Sequence, residues 1–525
     1  VLGAVGSHAL LPVSQAFLKA GNSGSSHEFG RAVSVSGDTM AVSAPSEASC
    51  SGVVVNGASG YATDTGCPAA GAVYVYKRDG GMWAAEAYLK APTAASSSEF
   101  GGGGVAVSVS GDTIAVGAKG ESSCSTSVVN GASGHATDTS CSAAGAVYIF
   151  VRTGSDWTAQ AYIKAPNAKA GDEFGYSVSL DGDGLTIGAQ SESSCSTSIV
   201  DGASGYPTDT GCSLAGAVYI FVRSSGTWTA QAYVKAPNAG ADDRFGLTVS
   251  MSSNTIAVGA EYEASCSTSI INGASGYPTD DSCYRAGAAY VFSRSGSSWS
   301  AEAHLKAPRA GTQNRFGEAV SLSGDTIAVG AKDESSCSTS IVNGASGYAT
   351  DAGCSAAGAV YIFVRRAGSE WAAQAYIKAP NAGVSASQYF GFSVSLDRDT
   401  LVAGAWGEAG CSVEPRAADG ASAADYNDDC DAVGWMGEDR LRWGCGDDCT
   451  SDGAAWVFTR SGASWHAQSY LKAMNGSPKP YWTDDEFGFA VAVDGSTVAV
   501  GARYEDSCTT TITNRVADVL SSTYM

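Results

Sequence analysis

The sequence is short of charge, of histidine and of long apolar runs. Only 16% of its 525 residues are Asp, Glu, Lys or Arg, and five are His. Basic residues are the scarcer sign, 30 Lys and Arg against 52 Asp and Glu, for a formal net charge of −22. That argues against nucleic acid, a partner that needs a basic patch to displace counterions, and equally against adhesion to an anionic membrane surface. No apolar run approaches the roughly 20 residues that span a bilayer, so membrane insertion is not expected. No secretory leader is visible, but the chain begins at Val1 rather than Met, so the expectation is a leader removed or lying outside this sequence. Sustained helical periodicity is missing throughout, and the chain reads as all-β.

Catalytic signatures are missing too. There is no G-x-S-x-G elbow, H-E-x-x-H helix or phosphate loop. His8, His27, His135, His304 and His466 do not recur together. His135 and His304 stand where other repeats carry Tyr, and read as substituted surface positions. No catalytic residue is assigned.

What is abundant is glycine, 66 residues, together with Ser, Thr, Ala and Val, a composition suited to packed strands and tight turns. Phe-Gly recurs at Phe29, Phe100, Phe174, Phe245, Phe316, Phe390 and Phe487. Each typical unit holds four apolar runs, FGEAVSLS, TIAVGA, GAVYIFVR and WAAQAYIKAP, bounded by turn residues. Gly111-Asp112 and Gly324-Asp325 join the first two runs as tight hairpins. Seven units of four antiparallel strands predict a seven-bladed β-propeller, one domain over residues 1–525, with an insertion in blade six at about 411–449.

The ends of the chain predict how the ring closes. SQAFLKA, Ser14 to Ala20, matches a fourth strand, and Gly3-Ala4-Val5 is a candidate start of a third. FGFAVAVD and TVAVGA near the C-terminus match strands one and two. A composite last blade follows, inner strands from the C-terminus and outer strands from the N-terminus, protecting edges that an open ring leaves unpaired. Exchange of the same strands between neighbouring molecules is the alternative.

Cysteine pairs by repeat position: Cys50 with Cys67, Cys124 with Cys141, Cys195 with Cys212, Cys266 with Cys283, and Cys337 with Cys354. Zinc competes as a reading, but no CxxC partner and no recurring histidine accompany these residues. Disulfides are expected, and with them an oxidising, extracellular setting. In the insertion the repeat positions suggest Cys411 with Cys449, which leaves Cys430 and Cys445 to each other. Cys508 is left odd: its repeat partner falls at Met525, or about two positions ahead of Val1, so it reads as unpaired or linked to another molecule.

In a propeller the loops between strands two and three share one face with the connections between blades. That face carries Glu121, Glu192, Glu263 and Glu334 before the first cysteine, and Asp64, Asp138, Asp209, Asp280 and Asp351 before the second. The expectation is that they cap loop N–H groups, with ligand contact as the alternative. Acidic pairs such as Asp242-Asp243 and Asp484-Asp485 read as solvated loops, and the recurring Trp and Tyr as packing between blades. The blade-six insertion breaks the repeat, so Trp406, Trp435 and Trp443 are the candidate partner contacts. Asn475-Gly476-Ser477 is the one glycosylation sequon, weakened by Pro478.

Phe-Gly opening each blade, then VSLSGDTIAVGA and GAVYIFVRSSGTWTAQAYVKAP, resembles the FG-GAP repeat, a family that includes the seven-bladed head of integrin α-subunits. The resemblance implies a propeller used in adhesion or in protein or glycan recognition. The sequence departs from the DxDxDG calcium loop of integrin-like blades. Its turns are too short to wrap an ion that needs six to eight oxygens. Asp181, Asp183, Asp397 and Asp399 are the nearest remnants, and neither calcium nor another cofactor is carried over.

The expected function is that of a non-catalytic secreted or cell-surface propeller. It acts in adhesion or recognition, or as a structural protomer of a fibre, appendage or coat. Its partner is then a protein or glycan on a cell surface or matrix, or a second copy. A polysaccharide-active enzyme or glycan-binding module on the loop-rich face is the alternative.

Overall fold

The structure is a computed structural model that describes residues 14–24, 26–309, 311–382, 387–409, 416–417, 452–473, 485–505 and 512–514. The described residues are all-β, and no helix is long and apolar enough to cross a membrane. Six antiparallel sheets repeat one plan. In the second, Val107–Ser110 lies innermost, followed outward by Thr113–Ala118, Ala146–Thr153 and Asp156–Ile163. A short fifth strand from the cysteine loop, Val129–Asn130, closes the outer edge against Ala161 and Tyr162. The blades are therefore five-stranded rather than four-stranded, because the loop itself supplies an edge strand.

The blade count is also corrected, to six. Where a seventh was expected, two separate two-stranded sheets stand, Phe487–Asp494 with Thr497–Ala502 and Ala16–Phe17 with Thr513–Asn514. A complete sheet needs a third strand joining Thr497–Ala502 to Ala16–Phe17, and the candidate Gly3-Ala4-Val5 lies outside the described residues. The strand Phe487–Asp494 packs between the inner strands Ser393–Asp397 and Val33–Ser36. The pairing of Ala16 with Asn514 joins the two ends of the chain, through a segment beyond the C-terminal strands that were expected to share the composite blade.

Strand identity follows from burial. TIAVGA is buried at every position because both its faces meet neighbouring blades. The outer strand DWTAQAYI is exposed at its first residue and buried from Ala161 onward. Between blades the motif glycines are sterically dictated. Gly145 has φ +81° and bridges to Phe174 of the next blade, where an added Cβ would sit 2.0 Å from the Phe174 carbonyl oxygen. Gly117 meets Gly175 just as closely, with 1.9 Å from such a Cβ to the Gly175 oxygen.

Hydrogen bonds stitch the inner strands into a ring. Val109 N–H donates to Ser34 Oγ at 3.0 Å, and the step repeats through Ser108, Ser179, Ser250, Ser321 and Ser395. At the turns a second series runs from blade to blade. Its last step, Gly37 N–H to Asp494 Oδ2 at 2.5 Å, returns from the C-terminal sheet to blade one.

Candidate functional site

The repeated polar residues hold the scaffold. Glu121 is buried, and its Oε2 lies 2.6 Å from Lys164 Nζ, while its Oε1 accepts Ser123 N–H. The same pair recurs as Lys90–Glu47, Lys235–Glu192, Lys306–Glu263, Lys378–Glu334, Lys472–Glu408 and Lys19–Glu505. Glu121, Glu192, Glu263 and Glu334 thus cap the loop only in part, and their larger role is as buried counter-ions. Co-recurrence of one Lys and one Glu in every repeat was the signal that sequence reading passed over. Burial holds Lys164 below the ordinary lysine range, opposed by the Glu121 carboxylate.

The Asp series caps as expected. Asp64, Asp138, Asp209, Asp280 and Asp351 each accept the backbone N–H of their blade's first cysteine at 2.6–3.0 Å. The five intrarepeat disulfides are formed, Cys50–Cys67 through Cys337–Cys354, as is typical of proteins that mature outside a reducing compartment. Cys411, Cys430, Cys445, Cys449 and Cys508 lie outside the described residues, as do Trp435 and Trp443.

The metal candidates do not converge. Asp181 and Asp397 accept Ser253 N–H and Gly495 N–H between blades, and Asp183 and Asp399 pair with Arg223 and Arg460 at 2.6 and 2.7 Å. Among the described residues no group of three or more His, Cys, Asp or Glu is placed to hold a metal ion. Two other readings are corrected. His304 is fully buried rather than at the surface, and Asp243 and Asp485 are buried rather than solvated. The recurring tryptophans are packing residues: Trp157 is fully buried beneath Arg152, whose Cζ lies 5.1 Å from the ring centroid.

Among the described residues repetition fails at the loop-side mouth of the central cavity. This cavity of about 250 Å³ is lined by the innermost strands of all six blades and by Phe489 to Val493. The residue after each Phe-Gly reads Arg31, Gly102, Tyr176, Leu247, Glu318, Phe392 and Phe489, and all but Gly102 line the cavity. Two sectors stand out.

One is aromatic. Tyr389 stacks on Trp406 with centroids 4.5 Å apart and planes at 8°. Phe392 meets Trp406 edge-on at 6.1 Å and Phe489 at 4.8 Å. Arg31 and Arg503 lie over Phe489 at 4.8 and 4.1 Å. Trp406 therefore borders the mouth, in the turn that follows strand Thr400–Ala405 and precedes the insertion.

The other is basic, set back from the cavity lining at the joint between blades four and five, and was missed. Arg244, Arg285 and Arg315 converge on the Tyr262 ring, at 4.3, 4.2 and 5.5 Å from its centroid. Arg285 also covers Tyr284 at 4.7 Å, and the Tyr284 side chain is 53% exposed. The fold makes this meeting obligatory, since Arg315 N–H donates to the Arg285 carbonyl across the joint between blades four and five. Comparing repeats would have found it. Arg285 stands where others have Ala69, Ala143 and Ala356, and Arg244 and Arg315 where others have Glu28, Glu99 and Glu173.

A profile of the FG-GAP repeat matches residues 157–221, 228–292, 299–363, 371–423 and 468–513, more than half of the chain. No curated protein matches it significantly. Blade-joint contacts such as Gly216 against Phe245 and Gly287 against Phe316 fall within the matched stretches, and the chain belongs to the FG-GAP repeat family.

Proposed function

We propose that this protein is a secreted, non-catalytic recognition propeller that engages a protein or glycan at the loop-rich mouth of its ring, in adhesion or within an extracellular assembly. One observation carries the reading. The ion pairs, clamps and cysteine loops repeat from blade to blade, while the residue that enters the mouth after Phe-Gly changes from Arg31 through Tyr176, Leu247 and Glu318 to Phe392 and Phe489. Selection for a scaffold alone has no need of such differences, whereas a specific contact does. The test is binding of the native protein to matrix and cell-surface protein and glycan arrays, compared with a variant carrying Arg285→Ala, Trp406→Gly and Phe392→Leu. Loss of the array signal in that variant supports the reading, and an unchanged signal sinks it.

A specific observation supports a second reading, self-assembly through the incomplete sector. Strand Thr497–Ala502 pairs on one side only among the described residues, next to a mostly apolar cavity of about 60 Å³ lined by Phe17, Phe29 and Val500. A neighbour's strand added there would extend the sheet. Light scattering with and without reductant separates the readings: a monomer near 53 kDa favours recognition, and large species favour assembly.

A further inference from the structure

The geometry points to an anion site at the joint of blades four and five, where Arg244, Arg285 and Arg315 with Tyr284 take the carboxylate or sulfate groups of an acidic polysaccharide. The inference rests on the recognition reading and names its ligand class.

Three guanidinium groups gather round Tyr262, yet among the described residues two carboxylates are in ion-pair reach of them: Glu261, 3.5 Å from Arg244 and 3.7 Å from Arg315, and Asp333, 2.9 Å from Arg315. Glu261 is 3% exposed, and its Oε2 has no hydrogen-bond partner. Burial, with Glu318 beside it, holds the Glu261 carboxyl well above the ordinary range, which weakens it as a counter-ion. Arg285 has no carboxylate within ion-pair distance among the described residues, and its Nε has no hydrogen-bond partner. On a chain of net charge −22, this is surplus positive charge held in one place.

The ligand chemistry follows from the side chains. A guanidinium presents a planar fork that matches carboxylate and sulfate oxygens in pairs. Tyr284 supplies an exposed flat ring, where other repeats have Pro68, Ser142, Ser213 and Ser355. A phenol face accepts the apolar face of a pyranose, which places a sugar beside the charged groups. The arginines are spread over an open joint rather than enclosed, which suits a polymer of repeated charges better than a single small ion.

The experiment uses the full chain at about 0.15 M salt, where exposed charges are screened beyond about 8 Å. Oligogalacturonate is the carboxylated probe and dextran sulfate the sulfated one; uncharged dextran and poly-L-glutamate are the comparators. Arg285→Ala and Tyr284→Ser restore residues that other blades carry at the same positions, so the fold tolerates them. The expected result is binding of one or both acidic glycans, weakened about tenfold or more by Arg285→Ala and less by Tyr284→Ser. Absence of acidic-glycan binding by the native chain overturns the inference, as does an Arg285→Ala variant that binds like the native chain. Poly-L-glutamate binding as tightly as the glycans also overturns it, and assigns the site to acidic peptides instead. If the native chain binds other glycans or proteins and Arg285→Ala is without effect, this site fails and the recognition reading survives. A chain that binds nothing and polymerises sinks both.

Discussion

Lys19 and Glu505, from opposite ends of the chain, form the ion pair that Lys164 and Glu121 form within one blade, with Nζ to Oε2 at 2.6 Å in each. Asn514 repeats a second blade feature. It receives Trp83 N–H at 2.8 Å and donates to the Trp83 carbonyl at 3.0 Å, as Asn56 does with Trp157. The two termini thus rebuild with residues from both ends an ion pair that other sectors make within one repeat and a clamp that they make to the next blade.

Lys19→Met should therefore destabilise the whole ring and not merely fray its end. Removing one partner of a buried pair costs about 3–5 kcal/mol, because the other charge stays buried and uncompensated. Both Lys19 and Glu505 are more than nine-tenths buried. Urea unfolding of Lys19→Met and Lys164→Met is expected to give similar losses, and a Lys19→Met, Glu505→Leu double variant should recover much of the first. If Lys19→Met unfolds at the native midpoint, the ends do not clasp the ring.

His304 introduces acid sensitivity at one point of the core. It is fully buried against Tyr277 and Tyr290, with centroids at 5.2 and 5.0 Å, and burial pushes its imidazole down to about 3. The unfolded chain then binds a proton near pH 6.5 that the folded chain refuses, so stability is full above that value and falls as pH drops toward 3. In blades one, two and five a Tyr at this position bonds a Ser, as Tyr162 does Ser123 at 2.8 Å, whereas here Ser265 Oγ has no partner. His304→Tyr should add about 1 kcal/mol at neutral pH and more at pH 4.5. Equal urea midpoints for variant and native protein at pH 4.5 would refute this account.

Asp172 and Asp243 act in the opposite direction. Burial raises each to about 7, partly offset by a backbone N–H donated by Lys169 or Gly240. Their folded form holds a proton that the unfolded chain releases near pH 4, so the stability they allow declines as pH rises from about 4 through 7. Asn314 occupies the equivalent place in blade five, which makes Asp243→Asn a natural substitution. That variant should gain stability over the native protein at pH 8 and little at pH 4. The reverse ordering in thermal melts would show that the carboxylate is stabilised in place.

Much of the architecture was legible because it repeats. Phe-Gly, Gly-Asp and the cysteine pairs each recur, and recurrence separates a steric or covalent requirement from chance, as Gly145 and Cys195–Cys212 show. The short fifth strand was not legible, since Val129–Asn130 is two residues long and lies inside a loop with no alternation to read. The basic sector was missed for the opposite reason. Arg285, Tyr262 and Arg315 are far apart in sequence, and only the joint between blades brings them together. The attention given to Trp435 and Trp443 followed local composition, which carries no information about which blades meet.

The fifth strand also changes what the disulfides are expected to do. The Cys266–Cys283 loop is held in addition by Ile271–Asn272, which pairs with His304 and Ala303, and by Asn272, which receives Trp371 N–H at 2.7 Å and donates to the Trp371 carbonyl at 3.2 Å. Replacing both cysteines by Ala should lower global stability by about 3 kcal/mol through the unfolded chain, while the folded loop keeps its place. Asn272→Ala instead leaves the Trp371 N–H without its acceptor, a loss of about 1–3 kcal/mol that acts on the folded loop. Limited proteolysis should therefore cut the loop faster in Asn272→Ala than in the cysteine variant, although the cysteine variant unfolds at lower urea. Rapid cutting of the cysteine variant alone would return the loop's order to the disulfide and leave the short strand a passive consequence of it.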